Sequence, residues 1–341
     1  MRFSLCVLGV LRGESTGRER ASMSEVRVIK PGLLTTVQDR GRWGFQSRGV
    51  SVAGPMDAYA HRLANLLVGN ADDAATLEVT WVGPELEFDD ERVIAVSGAE
   101  FEVAVNGRRV PQDRACAVAG GARLAFGRRL RGTRAYVAIE GGIAVRAVFG
   151  SRATHVGSRL GGLDGRALRA GDRLPLPATG GMTAFSKGVR PLFRQDVRPV
   201  PDGHALVRVL AGPQDDYFTH DALRALQASP YSIGQNSDRM GFRLEGTRLR
   251  HARGADIISD ATPMGAVQVP ASGLPILLMA DRQTTGGYPK IATVITADLG
   301  LAGQLGPADT ISFAVCSPGE ALAALITQER ALLAIERPEV R

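Results

Sequence analysis

Polar and apolar residues alternate over residues 25–37, and the run ends in Thr35-Thr36, the period-two pattern of a strand with one buried face. A glycine-punctuated polar loop follows, Gln38-Asp39-Arg40-Gly41-Arg42-Trp43-Gly44-Phe45, and continues to Gly54-Pro55. The period then changes: Met56, Ala60, Leu63, Ala64 and Leu67 share one face of a predicted helix that Gly69-Asn70 stops. From Leu77 to Leu174 short apolar runs return, among them Val93–Val96, Phe101–Val105 and Ala135–Ile139, separated by Asn-Gly, Gly-Gly and Gly-Arg turns. Asn106-Gly107 between two such runs predicts a hairpin, since Asn and Gly tolerate the positive φ that a tight two-residue turn requires. This stretch reads as a β-barrel or sandwich with a helix packed on it.

Residues 179–203 are rich in Pro and Gly and have no period, which predicts a linker. Beyond it Leu206–Leu210 predicts a strand, leading into Gly212-Pro213-Gln214-Asp215-Asp216-Tyr217 and a helical stretch to Ala228. The same Gly-Pro-x-Asp-x-Tyr precedes the first helix at Gly54–Tyr59, and Gly121–Phe126 is echoed by Gly306–Phe313 as a turn entering a late strand. Two related β-rich halves account for both echoes. Leu322, Leu325, Ile326, Leu332 and Leu333 mark a terminal helix, expected to dock on the second half. The expected division is a disordered extension over 1–22, a first half over 23–178, the linker, a second half over 204–317 and a C-terminal helix over 318–341. The expected class is β-rich α+β.

Composition sharpens this reading. The 41 glycines and 18 prolines, set against 5% aromatics, suit short strands joined by turns. A net charge of +6 is spread along the chain without an aromatic-interleaved basic stripe, which argues against nucleic acid. Cys6, Cys116 and Cys316 form no close pair, as in a reducing compartment, and no segment approaches the ~20 apolar residues of a membrane span. The expected location is the cytoplasm. Of 41 cations only Lys30, Lys187 and Lys290 are lysines, leaving 38 arginines, so a lysine inside a motif marks a place that needs a compact, titratable ammonium.

Several chemistries lack their signatures. No lysine follows a glycine as a phosphate-binding loop requires, and no Gly-x-Gly triplet occurs. The five histidines, His61, His155, His204, His220 and His251, are too scattered for a metal motif, so no metal is expected. No Gly-x-Ser-x-Gly elbow is present. Neither Lys187 nor Lys290 has the methionine neighbours of a biotin-carrying lysine, so biotin, if used, arrives on a partner.

The densest polar run is Asp281-Arg282-Gln283-Thr284-Thr285-Gly286-Gly287-Tyr288-Pro289-Lys290, between the apolar segments 275–280 and 291–295. A glycine-rich polar loop between core strands is where binding sites are commonly built, although a solvated hairpin has the same composition. Lys290 and Arg282 are assigned to negative charge on a substrate, with Asp281 either orienting them or acting as base. Gln283, Thr284, Thr285, Gly286, Gly287 and Tyr288 are candidate substrate contacts. Replacing Lys290 by Ala is expected to abolish turnover with little change in melting temperature. Arg239 and Met240 open a second run, in which Arg239 is either an anion ligand or a solvated strand residue. Gln268, among apolar neighbours, needs either a structural hydrogen bond or a substrate amide. Gln38, Asp39, Arg42, Met56 and Asp57 are a possible second wall, with Asp57 equally explained as a helix cap. Glu78 on an apolar strand is ambiguous.

At these residues the chain resembles the biotin-dependent carboxyltransferase family of allophanate hydrolase subunit 2, the carboxyltransferase part of urea carboxylase and the C subunit of bacterial 5-oxoprolinase. The matching segments are 35–42, Gly54–Asp57, Ala64-Asn65 with Leu67–Asn70, Gly141-Gly142, Gly150-Ser151, Ser237–Leu244, Gln268–Pro270 and Asp281–Ala292. Ser151-Arg-Ala153-Thr154 departs from the family, which usually has a second Ser there. The resemblance implies two tandem cyclophilin-like β-barrel halves with flanking helices. It implies an allophanate-hydrolase-subunit-1-like partner, a third 5-oxoprolinase subunit, and ATP used by the complex. The first expected function is the C subunit of an ATP-dependent 5-oxoprolinase complex that converts 5-oxo-L-proline to L-glutamate, inactive alone. The alternatives are a carboxyltransferase that moves a carboxyl group from carboxybiotin to urea or a related amide, and a non-enzymatic regulator binding a kinase-inhibitor-type partner. A cleft between the halves is expected to gather the Lys290 loop and the Arg239 strand around a small amide.

Overall fold

The structure, a computed structural model, describes residues 24–178 and 198–336. The expected extension and most of the expected linker lie outside these residues. In the first half the strands are β1 (Ser24–Lys30), β2 (Leu34–Gln38), β3 (Thr76–Thr80), β4 (Glu85–Phe88), β5 (Arg92–Val105), β6 (Arg108–Arg109), β7 (Cys116–Val118), β8 (Arg123–Ile139) and β9 (Arg173–Leu176), with helix α1 (Ala58–Leu67) after β2. They form a nine-stranded sheet in the order β2-β3-β8-β4-β1-β9, with β5 paired to β6, β7 and β8. One long strand serves both parts of it: β8 pairs with β4 through residues 123–125 and with β3 through residues 134–137. Register shifts between Gly98 and Val103 bend the β5–β8 pair, as bulges do. The sheet curls into a half-barrel and its hydrogen-bonded path does not close among the described residues. The hairpin turn falls at Asn106-Gly107, where both φ values are positive, 50° and 75°.

The second half contains β10 (His204–Ala211), α2 (Ala222–Ala228), β11 (Tyr231–Ile233), β12 (Gly241–Glu245), β13 (Asp260–Ala261), β14 (Ala266–Gln268), β15 (Ile276–Leu278), β16 (Thr285–Gly286), β17 (Lys290–Val294), α3 (Leu299–Gly303), β18 (Thr310–Val315) and α4 (Pro318–Glu336). Seven of these strands close a barrel in the order β10-β17-β14-β15-β12-β11-β18. The remaining two, β13 and β16, make a separate ribbon that stands off the barrel.

Three apolar clusters hold this arrangement. One fills the first half, around Val28, Leu77, Phe88, Val96 and Val137. A second fills the barrel and includes Met56, which comes from the first half and is fully buried. Seating Met56 there, worth about 2 kcal/mol as a buried side chain, joins the halves. The third packs α1 through Tyr59, Leu63 and Leu67 against Tyr136 and Ala138 of β8 and takes in Leu332 and Ile335 of α4. The terminal helix lies against both halves: it packs on the 296–298 turn and β10 of the second half, as expected, and also sends its buried apolar anchors into the first. Leu322, Ile326 and Leu333 are exposed, because Leu332 and Ile335 define the docked face instead.

Candidate active site

The surfaces that meet between the halves carry buried polar side chains. Arg239, just before β12, gives Nε and Nη2 to the carboxylate of Asp281 at 3.0 and 2.9 Å, and Nη2 also donates to the Gly54 carbonyl at 2.7 Å. Its Nη1 pairs with Glu78 of β3. Glu78 Oε2 accepts from the Met56 backbone N–H at 2.9 Å and the Tyr136 hydroxyl at 2.8 Å, and the Tyr136 oxygen accepts from the Asp57 N–H at 2.8 Å. Asp57 caps α1 through Oδ1, which accepts from the Ala60 N–H at 3.1 Å, while its Oδ2 accepts from Gln304 Nε2 at 2.9 Å and pairs with Arg198. Burial opposes the charge of Arg239, but Asp281 and Glu78 outweigh it and hold its pKa above the ordinary value. Burial, then the neighbouring Glu78 and Asp57, raises that of Tyr136, so it remains a phenol that donates.

Above this network lies a cleft of 780 Å³. Its first-half wall is Arg40, Trp43, Val52, Met56 and Tyr59. Its second-half wall is Ala261 of β13 with the flanking Thr262, Met264, Arg282, Gln283 and Thr284, and Leu325, Gln328 and Glu329 of α4 close one side. The ribbon is fastened to its own flanks: the Thr262 N–H donates to the Thr284 carbonyl at 3.1 Å and the Thr262 hydroxyl to the Gln283 carbonyl. Arg282 is buried against it, with Nε donating to the Thr262 carbonyl at 2.7 Å and Nη1 to the Met279 carbonyl at 3.4 Å. Nη2 has no partner among the described residues, and burial, opposed by Asp281, pushes the guanidinium down to about 10. It remains a cation at neutral pH, held by carbonyls rather than by a carboxylate. Such a group is poised to accept an anion from the cleft.

The sequence candidates divide on this geometry. Arg282, Gln283, Thr284 and Met56 line the cleft. Arg239 and Asp281 lie in the buried interface, where both carboxylate oxygens of Asp281 accept from Arg239, so the Asp281 carboxylate hydrogen-bonds neither Arg282 nor Lys290. Lys290 is buried with Nζ 2.8 Å from Asp260 Oδ2 on β13, and its backbone N–H donates to Gln214 Oε1 at 3.2 Å. It is therefore tied to the ribbon and is not among the residues lining the cleft, which corrects the expectation that Lys290 and Arg282 meet one charge. Thr285 and Gly286 form β16. Gly287 and Tyr288 lie past its end, and Gln268 is buried behind Gln283. Met240 is exposed, because it precedes β12 rather than alternating within it. Gln38, Asp39 and Arg42 do not line the cleft. Gln38 Nε2 donates to the Thr154 carbonyl at 3.0 Å and Asp39 Oδ1 accepts from Ser151 Oγ at 2.6 Å, while Arg42 donates to the Ala153 carbonyl, so all three fasten the 148–162 loop. That loop leans on the site through His155, whose Nε2 lies 3.3 Å from the Asp281 carbonyl.

Sequence reasoning missed Tyr59, Arg198, Arg62 and Glu329. Arg62 meets Glu329 bidentately at 2.6 and 2.9 Å and holds α4 over the cleft. A pair separated by 267 positions leaves no local pattern to read. Local signals existed for Trp43, exposed in a glycine-punctuated loop, and for Tyr59, which ends the repeated Gly-Pro-x-Asp-x-Tyr motif.

The chain matches the family model described as carboxyltransferase domain, subdomain A and B, over residues 48–315. It is 38% identical over 305 residues to the 5-oxoprolinase C subunit of Escherichia coli strain K12, covering 89% of this chain and 96% of that protein. It is 34% identical over 305 residues to the urea amidolyase of Lachancea kluyveri, covering 84% of this chain and 16% of that protein. Its fold overlays the solved K. lactis urea amidolyase with a TM-score of 0.84 at 32% identity, covering 92% of this chain and 20% of that one.

Proposed function

The chain belongs to the carboxyltransferase domain family of subdomains A and B, and on that premise we propose that it is the C subunit of an ATP-dependent 5-oxoprolinase complex converting 5-oxo-L-proline to L-glutamate in the cytoplasm. The observation that carries this reading is Arg282, a cleft-facing cation whose protein partners are carbonyls. 5-Oxoproline has a carboxylate to place there, whereas urea has none. The similarity to the E. coli 5-oxoprolinase C subunit along 96% of that protein supports the same substrate. In this reading Arg282 holds the carboxylate. The Arg239–Asp281–Glu78 network fixes the two walls, and Lys290 positions the ribbon through Asp260. The apolar walls limit water around the lactam. The remaining chemistry comes from ATP, an allophanate-hydrolase-subunit-1-like partner and a third subunit.

A second reading, carboxyl transfer from carboxybiotin on a partner to urea, is supported by the likeness to urea amidolyase over 84% of this chain. Reconstitution separates the two. The chain is mixed with both candidate partners, ATP and 5-oxoproline, and glutamate is measured. Glutamate that requires every component supports the first reading; turnover only with urea and carboxybiotin supports the second. Neither activity leaves the regulatory reading.

A further inference from the structure

Gln268 is buried at 1% exposure on β14, yet its amide is poorly satisfied. Nε2 donates to the Tyr288 carbonyl at 3.4 Å, and Oε1 accepts from Gln283 Nε2 at 3.5 Å. Both distances sit at the outer limit of a hydrogen bond, for a group able to make four. Buried amides are ordinarily better paired. The backbone beside it is shaped around the amide, because a Cβ on Gly286 would stand 2.7 Å from Gln268 Nε2. Gln268 touches Gln283, and Gln283 lines the cleft next to Arg282.

We infer that Gln268 positions the Gln283 carboxamide as a donor–acceptor edge that reads a cis amide. The inference rests on the proposed reading of the cleft and deepens it. A carboxamide has two N–H groups and one oxygen. With one N–H of Gln283 turned to Gln268, the other N–H and Oε1 remain for a ligand. A lactam ring fixes its amide cis, so N–H and C=O lie on one edge and match that pair with two hydrogen bonds. Urea offers the same edge. An open-chain secondary amide strongly prefers trans, which puts its donor and acceptor on opposite sides. The substrate class is therefore cis-amide and ureido compounds. Arg282 adds selection for a carboxylate, and ordinary peptide amides are rejected.

The test uses the full chain with 2-pyrrolidone, a neutral lactam that makes no demand on Arg282, and N-methylacetamide as the trans control. Binding is followed by saturation-transfer NMR. Saturable binding of 2-pyrrolidone at least tenfold tighter than N-methylacetamide is expected. Gln283→Met should remove the preference, Gln268→Leu should weaken 2-pyrrolidone several-fold, and Gln268→Glu, which keeps an acceptor for Gln283, should restore most of it. Equal binding of the two probes, no saturable binding of 2-pyrrolidone, or an unchanged preference in Gln283→Met overturns the inference. A complex that makes glutamate with an unchanged KM in Gln283→Met also overturns it while leaving the 5-oxoprolinase reading intact. Conversely, a cis-amide preference without glutamate formation removes that reading and keeps the inference.

Discussion

Arg239 and Glu78 reach each other from opposite halves of the molecule, and their ion pair is buried, with side-chain exposures of 7% and 1%. A buried charge left without its partner costs about 3–5 kcal/mol. Arg239→Met strands both Asp281 and Glu78, so it should lower the urea-unfolding free energy by about that amount. Arg239→Lys should recover little, because an ammonium cannot fork to Asp281 while also reaching Glu78 and the Gly54 carbonyl. Full recovery by lysine would show that charge alone matters there.

His61 of α1 is fully buried, with Nδ1 2.9 Å from the Thr76 hydroxyl, and burial pushes its pKa down to about 4. The unfolded chain binds that proton near pH 6.5. Between pH 6.5 and 4 unfolding therefore takes up a proton, and stability falls as pH falls. Across that window the loss is roughly 3 kcal/mol. His61→Asn should flatten this part of the stability profile in urea titrations at pH 7, 6 and 5. An equally steep profile in the variant would assign the slope to other groups.

Asp113 runs the other way. Burial raises its carboxyl to about 6, and its Oδ1 is buried without a hydrogen-bond partner among the described residues. The folded chain holds this proton more tightly than the unfolded one, so the stability it contributes is complete below about pH 4 and is lost as pH rises through 6. Asparagine keeps the shape, carries no charge and tolerates the φ of +56° found there. Asp113→Asn should raise the unfolding free energy at pH 7.5 by about 2–3 kcal/mol and leave it unchanged at pH 3.5.

Local pattern carried much of this architecture. The shift from period two to period 3.6 located α1, Asn106-Gly107 located a hairpin, and the polar run at 281–290 supplied three residues of the cleft. Which of those polar residues face it was not readable, because that depends on barrel register. β17 sets Lys290 opposite Gln268 on β14, where Asp260 of the ribbon takes its ammonium. Scarcity alone singled out Lys290, and the structure places its ammonium in an ion pair with Asp260. The expectation that Lys290→Ala leaves the melting temperature unchanged is accordingly replaced by one of destabilisation. The buried interface was equally hidden: Asp57, Gln304 and Arg198 meet through distances of 141 and 247 positions.

Arg282 gives the decisive kinetic prediction. A charge-assisted hydrogen bond contributes about 1.5–3 kcal/mol, so losing the guanidinium should weaken capture of a carboxylate by roughly ten- to a hundredfold. In the reconstituted complex Arg282→Leu should raise KM for 5-oxoproline by that factor. Binding of 2-pyrrolidone, which has no carboxylate, should change less than twofold. Because Arg282 also supports the ribbon through the Thr262 carbonyl, the variant's melting temperature is the control. A variant that loses both ligands together with several degrees of melting temperature has lost the wall. One that loses 5-oxoproline alone has lost the anion site.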